Sequence, residues 1–251
     1  MKKVSVIMTT FNSRDHLKMT LESIREQDYP FIEVVICDGG STDGTLDIIR
    51  EYIEISEMNI IWKSEKDNGI YDAMNKGYAM SSGDIIVFFN DVFSRKDAVR
   101  MCVEAIEREA CQGVHADLVY VEQNRIVRYW KMGKGRIQQG WMPGHPTLFL
   151  KREVYETYGL YKPDYKVSAD YEFMVRILKK EDVKLAYIPE VIVKMFYGGT
   201  STEGIQGYLL SLQEGHRALK ENEIRGAALI DLKRTFRVLK QFLCVNERKK
   251  R

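Results

Sequence analysis

Residues 65–91 read EKDNGIYDAMNKGYAMSSGDIIVFFND. The stretch opens on a polar turn carrying Glu65, Asp67 and Asn68-Gly69 and enters a short helix-forming segment, Tyr71–Met80. It breaks at Ser81-Ser82-Gly83 and becomes an apolar strand that stops abruptly on Asn90-Asp91. A strand that ends on a carboxamide and a carboxylate presents oxygen ligands at the rim of a sheet. In open α/β sheets ligands bind at that rim, outside the carboxyl ends of the strands.

Working outward, the same alternation extends in both directions. Upstream lie a short apolar run at Val4–Thr9, helical periodicity over Asp15–Glu26, and a strand at Glu33–Cys37 that stops at Asp38-Gly39-Gly40. Ser41 or Thr42 is the expected cap of a helix running to Ile55, with Asp43 in its first turn, and Ile60–Lys63 is the next strand. Downstream of the strand Asp84–Phe89 comes a helix at Arg95–Glu109. Strands alternating with helices predict a parallel sheet covered on both faces. After residue 113 the rhythm changes. Asp117–Glu122 and Ile126–Lys131 flank a polar turn and predict an antiparallel hairpin. An irregular Gly-rich segment follows, then helices at Arg152–Tyr158 and Ala169–Lys180, a strand pair at Lys184–Ile188 and Val191–Met195, and helix from about residue 204 to near the end.

The chain has 251 residues, 45% of them hydrophobic and 29% charged, enough for a sizeable core. Four cysteines without a CxxC pair read as reduced thiols, and the four histidines lack metal-ligand spacing. The apolar run after Lys2-Lys3 is too short for a signal peptide, and no run is long enough to span a membrane. Net charge is +2, but from Lys233 onward eight cations face the single acid Glu247. A mildly acidic body therefore carries a basic tail.

Two phosphate signatures are missing. The first strand ends in Thr9-Thr10-Phe11-Asn12 without GxGxxG, and there is no GxxxxGK[ST]. A sugar nucleotidyltransferase, which needs a basic Gly-rich loop at that point, is disfavoured. Strand ends bearing Thr9 and Asn12, Asp38, and Asn90-Asp91 favour a nucleotide site. Gly39-Gly40 lets another group approach the backbone closely.

In that order, VSVIMTTFN, CDGGSTDGT, GIYDAMNKG and GDIIVFFND, with the later HPT and SADYE stretches, resemble the inverting family 2 glycosyltransferases of the GT-A fold. The likeness is to the branch that assembles bacterial polysaccharides and runs from about residue 4 to 200. It implies an α/β GT-A domain with a mixed sheet and added C-terminal helices. Residues 1–112 would bind the nucleotide sugar, 113–203 the acceptor, and 204–251 would form a helical region with a basic tail. Thr9, Phe11 and Asp38 would contact uracil and ribose, with Phe11 stacking near the base. Asp67 would lie near the nucleotide or donor sugar, with Asn75 bracing that side. Asp91 would hold Mg²⁺ or Mn²⁺, Asn90 being its weaker partner, and Asp170 of SADYE would be the general base. The chemistry needs such a set: a diphosphate leaving group neutralised by a divalent cation, and a carboxylate within about 2.6–3.2 Å of the acceptor hydroxyl. The sequence departs from the family in one place, where Phe89-Asn90-Asp91-Val92-Phe93 is shorter than the usual N-x-D-D pattern. That departure keeps open a second reading, a catalytically degenerate nucleotide-sugar-binding protein.

Asp170 also suits the first turn of a helix, where an acid complements the dipole, and Glu172 is the second choice for base. Trp141 and His145, in GWMPGHPT, stand where an acceptor wall is expected, Trp141 to stack on a sugar and His145 to bond a phosphate or hydroxyl. Asp117 reads as a solvated strand-edge acid. Leu229, Leu232, Phe236, Leu239 and Leu243 recur at spacings of three and four with basic residues between. Such a helix suits a core or dimer contact, or the surface of an anionic membrane. The expected location is cytoplasmic, with peripheral contact at the inner face of the membrane as the alternative that the basic helix leaves open. The expected partners are a nucleotide-sugar donor and a glycan or polyprenyl-linked acceptor, without nucleic acid.

Overall fold

The computed structural model describes residues 1–123, 125–196 and 204–248. Four parallel strands form its first half: β1 (Val4–Thr10), β2 (Ile32–Asp38), β3 (Asn59–Ser64) and β4 (Ile85–Phe88). Helices α1 (Arg14–Arg25), α2 (Thr45–Ile55) and α3 (Ile70–Met80) connect them. Side chains alternate across a strand, so an unbroken apolar run must be covered on both faces. Val6, Met8, Val34, Ile36 and Val87 pack on one face with Leu21 and Ile24 of α1. Ile7, Val35, Ile86 and Phe88 pack on the other with Met74 of α3.

The sheet continues through β5 (Val92–Phe93), β6 (Gly113–Glu122), β7 (Arg125–Trp130), β8 (Phe149–Lys151) and β9 (Leu185–Phe196), in the order β3-β2-β1-β4-β8-β6-β9-β5, with β7 paired to β6. Antiparallel pairing begins at the β4–β8 contact, which makes the sheet mixed. Helices α4 (Ala98–Arg108), α5 (Arg152–Tyr158), α6 (Ala169–Leu178), α7 (Gly204–Glu221) and α8 (Ala227–Arg248) complete the chain. Among the described residues, no helix is long and apolar enough to cross a membrane.

Three local expectations are corrected. Helix α2 begins at Thr45, because the Ser41 hydroxyl bonds Asp38 Oδ1 and the Thr42 N–H donates to Asn12 Oδ1. Helix α4 begins at Ala98, Arg95 being held in the preceding loop by Asp97. The expected strand pair is one strand, β9, parallel to β6. Its register jumps from Ala116↔Ile188 to Asp117↔Val191, so exposed Pro189 and Glu190 form a bulge rather than a turn. The boundary placed at 203 and the last three basic residues lie outside the described residues, as does the side chain of Leu243.

Candidate active site

The carboxyl ends of β1 and β4 open into a cavity of about 440 Å³ whose lining includes Thr9, Asn12, His16, Tyr71, Asn90 and Asp91, while Asp38 and Asp67 line a separate small cleft at the end of β2. A second cavity of about 460 Å³ lies between the Gly-rich segment, β7, α6 and α8, with Trp130, Trp141 and Tyr171 in its wall. The two share His145, Pro146, Val167, Asp170 and Met195. The residues common to both stand where the two cavities meet.

Hydrogen bonds among the strand ends make the first chamber's rim. Asn90 Oδ1 accepts from the Thr9 N–H at 2.9 Å, and Asn90 Nδ2 donates to Thr9 Oγ1 at 2.9 Å, fastening the end of β4 to β1. Both ends of that carboxamide are engaged, so Asn90 is a clamp for the rim. Asn12, at φ +47, accepts from the Thr42 N–H and donates its own N–H to Ser41 Oγ, joining the first two strand-end loops. Asp38 is buried, and its oxygens accept from Thr10 Oγ1, Ser41 Oγ, Ser64 Oγ and the N–H groups of Gly40 and Ser41. Burial alone would raise its carboxyl; the bonds from Ser41, Ser64 and Gly40 outweigh that and hold it below its usual range. Asp38 thus organises the loop from beneath. Phe11 is 65% exposed at the rim. A β-carbon on Gly39 would stand 2.5 Å from Asp67 Oδ2 and 3.3 Å from the Phe11 ring, so Gly39 admits both side chains beside the end of β2.

Asn75 is placed differently from the expectation. Its Nδ2 donates to the Tyr161 carbonyl and its Oδ1 accepts the Tyr161 N–H, so its amide pins the 161 segment to α3. It lines neither large cavity. Asp91 is 8% exposed and lines the first cavity, where burial pushes its carboxyl up to about 7 against a single N–H from Phe196. A buried carboxyl left that uncompensated fits a cation ligand. Among the described residues no group of three or more such ligands forms, so a metal here would take at most two such ligands from protein and the rest from phosphate and water.

Asp170 sits in the first turn of α6 and accepts a hydrogen bond from Tyr71 Oη at 3.0 Å. Glu214 of α7 accepts the N–H groups of Lys166, Val167 and Ser168, fixing the loop that delivers α6. Glu172 is fully buried and ion-paired to Arg176 and Lys162, which removes it as a second base. His145 contacts Tyr161 Oη through Nε2 at 2.8 Å. Burial holds its imidazole below the usual range, against the pull of Asp170. Trp141 lines the second cavity with its Nε1–H donated to the Met132 carbonyl. Asp117 is buried, accepting from Tyr129, Tyr187 and the Met132 N–H, so it is an internal hub and not an edge acid. Sequence reasoning missed Tyr71, His16, which stacks on Phe196 at 4.1 Å, and the α8 cations of the second cavity.

The chain matches the model for glycosyl transferase family 2 over residues 5–168. An uncharacterized glycosyltransferase of Mycobacterium tuberculosis is 34% identical over 181 residues, 69% of this chain and 68% of that protein. Among solved structures, S. aureus TarS 1–349 in complex with UDP-GlcNAc superposes with a TM-score of 0.73 at 17% identity, over 94% of this chain and 72% of that one. The match spans 43% of the longer TarS chain. The mannosyltransferase PcManGT from Pyrobaculum calidifontis, in complex with GDP-Man and Mn²⁺, gives 0.66 at 18% identity, over 94% and 74%. These structural likenesses show the fold, the expected GT-A arrangement.

Proposed function

This chain belongs to glycosyl transferase family 2, and from that we propose that it moves a hexose or N-acetylhexosamine from a UDP-sugar to a hydroxyl of a glycan, with inversion. The observation that carries the reading is Asp170, a carboxylate common to both cavities. The donor would occupy the first cavity, held mainly by residues 1–112, against Thr9 and Asn12, with Phe11 and Asp67 beside it at the end of β2. Asp38, Asn75 and Asn90 would shape that side from behind. The acceptor would enter the second, against Trp141 and His145 of residues 113–203, with α7 and α8 closing the opposite wall.

Asp170 takes the proton from the acceptor hydroxyl as its oxygen attacks the anomeric carbon from the side opposite the phosphate. The new C–O bond forms, the bond to the diphosphate breaks, and UDP leaves; one displacement inverts the centre without a glycosyl-enzyme intermediate. Tyr71 Oη holds Asp170 in place. Asp91 would hold Mg²⁺ or Mn²⁺, which when bound neutralises the charge of the leaving diphosphate. The UDP-GlcNAc held by one structural neighbour and the Mn²⁺ in another support these assignments, while the GDP-Man of the latter keeps the base a matter for experiment.

The exposed apolar row Leu229, Leu232, Phe236 and Leu239, followed by the basic tail, supports peripheral contact with an anionic membrane on the cytoplasmic side. A second reading, a nucleotide-sugar-binding protein without turnover, is favoured by the lone carboxylate of Asn90-Asp91. Asp170→Asn decides between them. The transferase reading predicts that UDP release from UDP-sugars falls by about 10²–10⁴-fold while UDP affinity is kept. Full activity in that variant overturns the assignment of the base. Wild-type protein that binds UDP-sugars without turnover supports the second reading.

A further inference from the structure

The second cavity carries a charge that a neutral sugar acceptor does not require. Among the described residues that line it, Arg128, Lys131, Arg234, Arg237 and Lys240 face one carboxylate, Asp170. Three of the five come from α8, whose backbone docks on Gly140: a β-carbon there would stand 2.6 Å from the Arg234 nitrogen. Among the described residues, the guanidiniums of Arg234 and Arg237 are held without cancelling their charge. Arg234 lies over the Tyr171 ring at 4.4 Å and donates to the Ser211 carbonyl, and Arg237 donates through Nε to the Gln139 carbonyl. Arg128 lies over Tyr120 at 4.4 Å and donates to Gln241 Oε1. A solvated basic face would be convex and free of aromatic walls, whereas these cations line a concavity with Trp130 and Trp141.

Resting on the glycosyltransferase reading, we propose that this cavity is a subsite for a phosphate or diphosphate group on the acceptor. Several cations converging on one concavity suit a multiply charged oxyanion, which arginine binds through paired N–H groups. Held there, the phosphate places its attached sugar beside Asp170. Two sources share this chemistry: the headgroup of a lipid carrier and a soluble phosphate-bearing glycan. The apolar row on the outer side of α8 favours the lipid carrier.

Two of the three tryptophans, Trp130 and Trp141, line the cavity, so intrinsic fluorescence reads its occupancy. The probes are inorganic pyrophosphate and farnesyl diphosphate, each titrated into the full chain in a divalent-metal chelator. The proposal predicts saturable quenching that weakens by about tenfold in Arg237→Gln/Lys240→Gln, the loss of a charge-assisted hydrogen bond or two. Both positions are exposed, and an unchanged UDP affinity shows that the variant is folded. No quenching in the wild type, or equal affinity in the variant, overturns the proposal. Tighter binding of farnesyl diphosphate than of pyrophosphate supports the lipid source; equal binding supports the soluble one. If neither protein binds UDP but the variant still loses pyrophosphate, the donor reading fails and the anion subsite stands.

Discussion

The Tyr71 hydroxyl reaches Asp170 from a different helix, so the base's position depends on a residue ninety-nine positions away in sequence. Tyr71→Phe should lower kcat by about tenfold, the worth of one hydrogen bond to a charged group, with UDP affinity unchanged. An unaltered kcat would show that α6 alone sets Asp170. At the opposite, amino-terminal end of the strands, Glu33 of β2 is fully buried and accepts from Lys3, Ser5 and Ser82. Burial alone would raise its carboxyl, but these partners hold it at about 2 against an ordinary 4.5. A depressed carboxyl contributes stability above its unfolded value, and that stability is lost as pH falls through its folded value. Urea midpoints from pH 5 to pH 2 should therefore fall steeply in the wild type and flatten in Glu33→Gln; parallel curves would contradict this. Asp91 was legible as an acid at the end of an apolar strand, and Asp170 through the SADYE resemblance and its place in the first turn of a helix. Asn75 and Asn90 were not, because a carboxamide that clamps backbone uses the same donor and acceptor as one that binds a ligand. Tyr71 was hidden because an aromatic at helical spacing reads as core.

Helix α3 crosses β1 and β2 through Gly77, where a β-carbon would stand 2.4 Å from Ile7 Cγ2 and 3.3 Å from Cys37 Sγ. Gly77→Ala sets two effects against each other. Helix propensity favours alanine by about 1 kcal/mol. Forcing buried, β-branched Ile7 aside costs about 1–3 kcal/mol. Packing should win, and the urea midpoint should drop; an equal or higher midpoint would show that Ile7 can yield. The parallel first half was legible element by element, because doubly buried strands leave unbroken apolar runs. The α2 and α4 starts were not, since Ser41 turns back to Asp38, Thr42 is tied to Asn12 of another loop, and Arg95 pairs with Asp97 instead of entering the helix. Strand β9 was divided at Pro189 because proline normally ends a strand, and only the pairing to β6 shows that it lies in a bulge.

The whole molecule joins two chambers at one carboxylate, the first built by strand ends and the second closed by α8. The first chamber was legible from its motifs. The second was not, because its wall combines segments almost a hundred residues apart, and the α8 cations read as a tail until the helix is docked on Gly140. The central claim is a metal-assisted nucleotide-sugar site at the end of β4, and calorimetric titration of UDP with and without Mn²⁺ tests it most directly. The account predicts that Mn²⁺ tightens UDP binding by about tenfold or more in the wild type and not in Asp91→Asn. Equal UDP affinity with and without Mn²⁺ in the wild type, or no UDP binding at all, would contradict it.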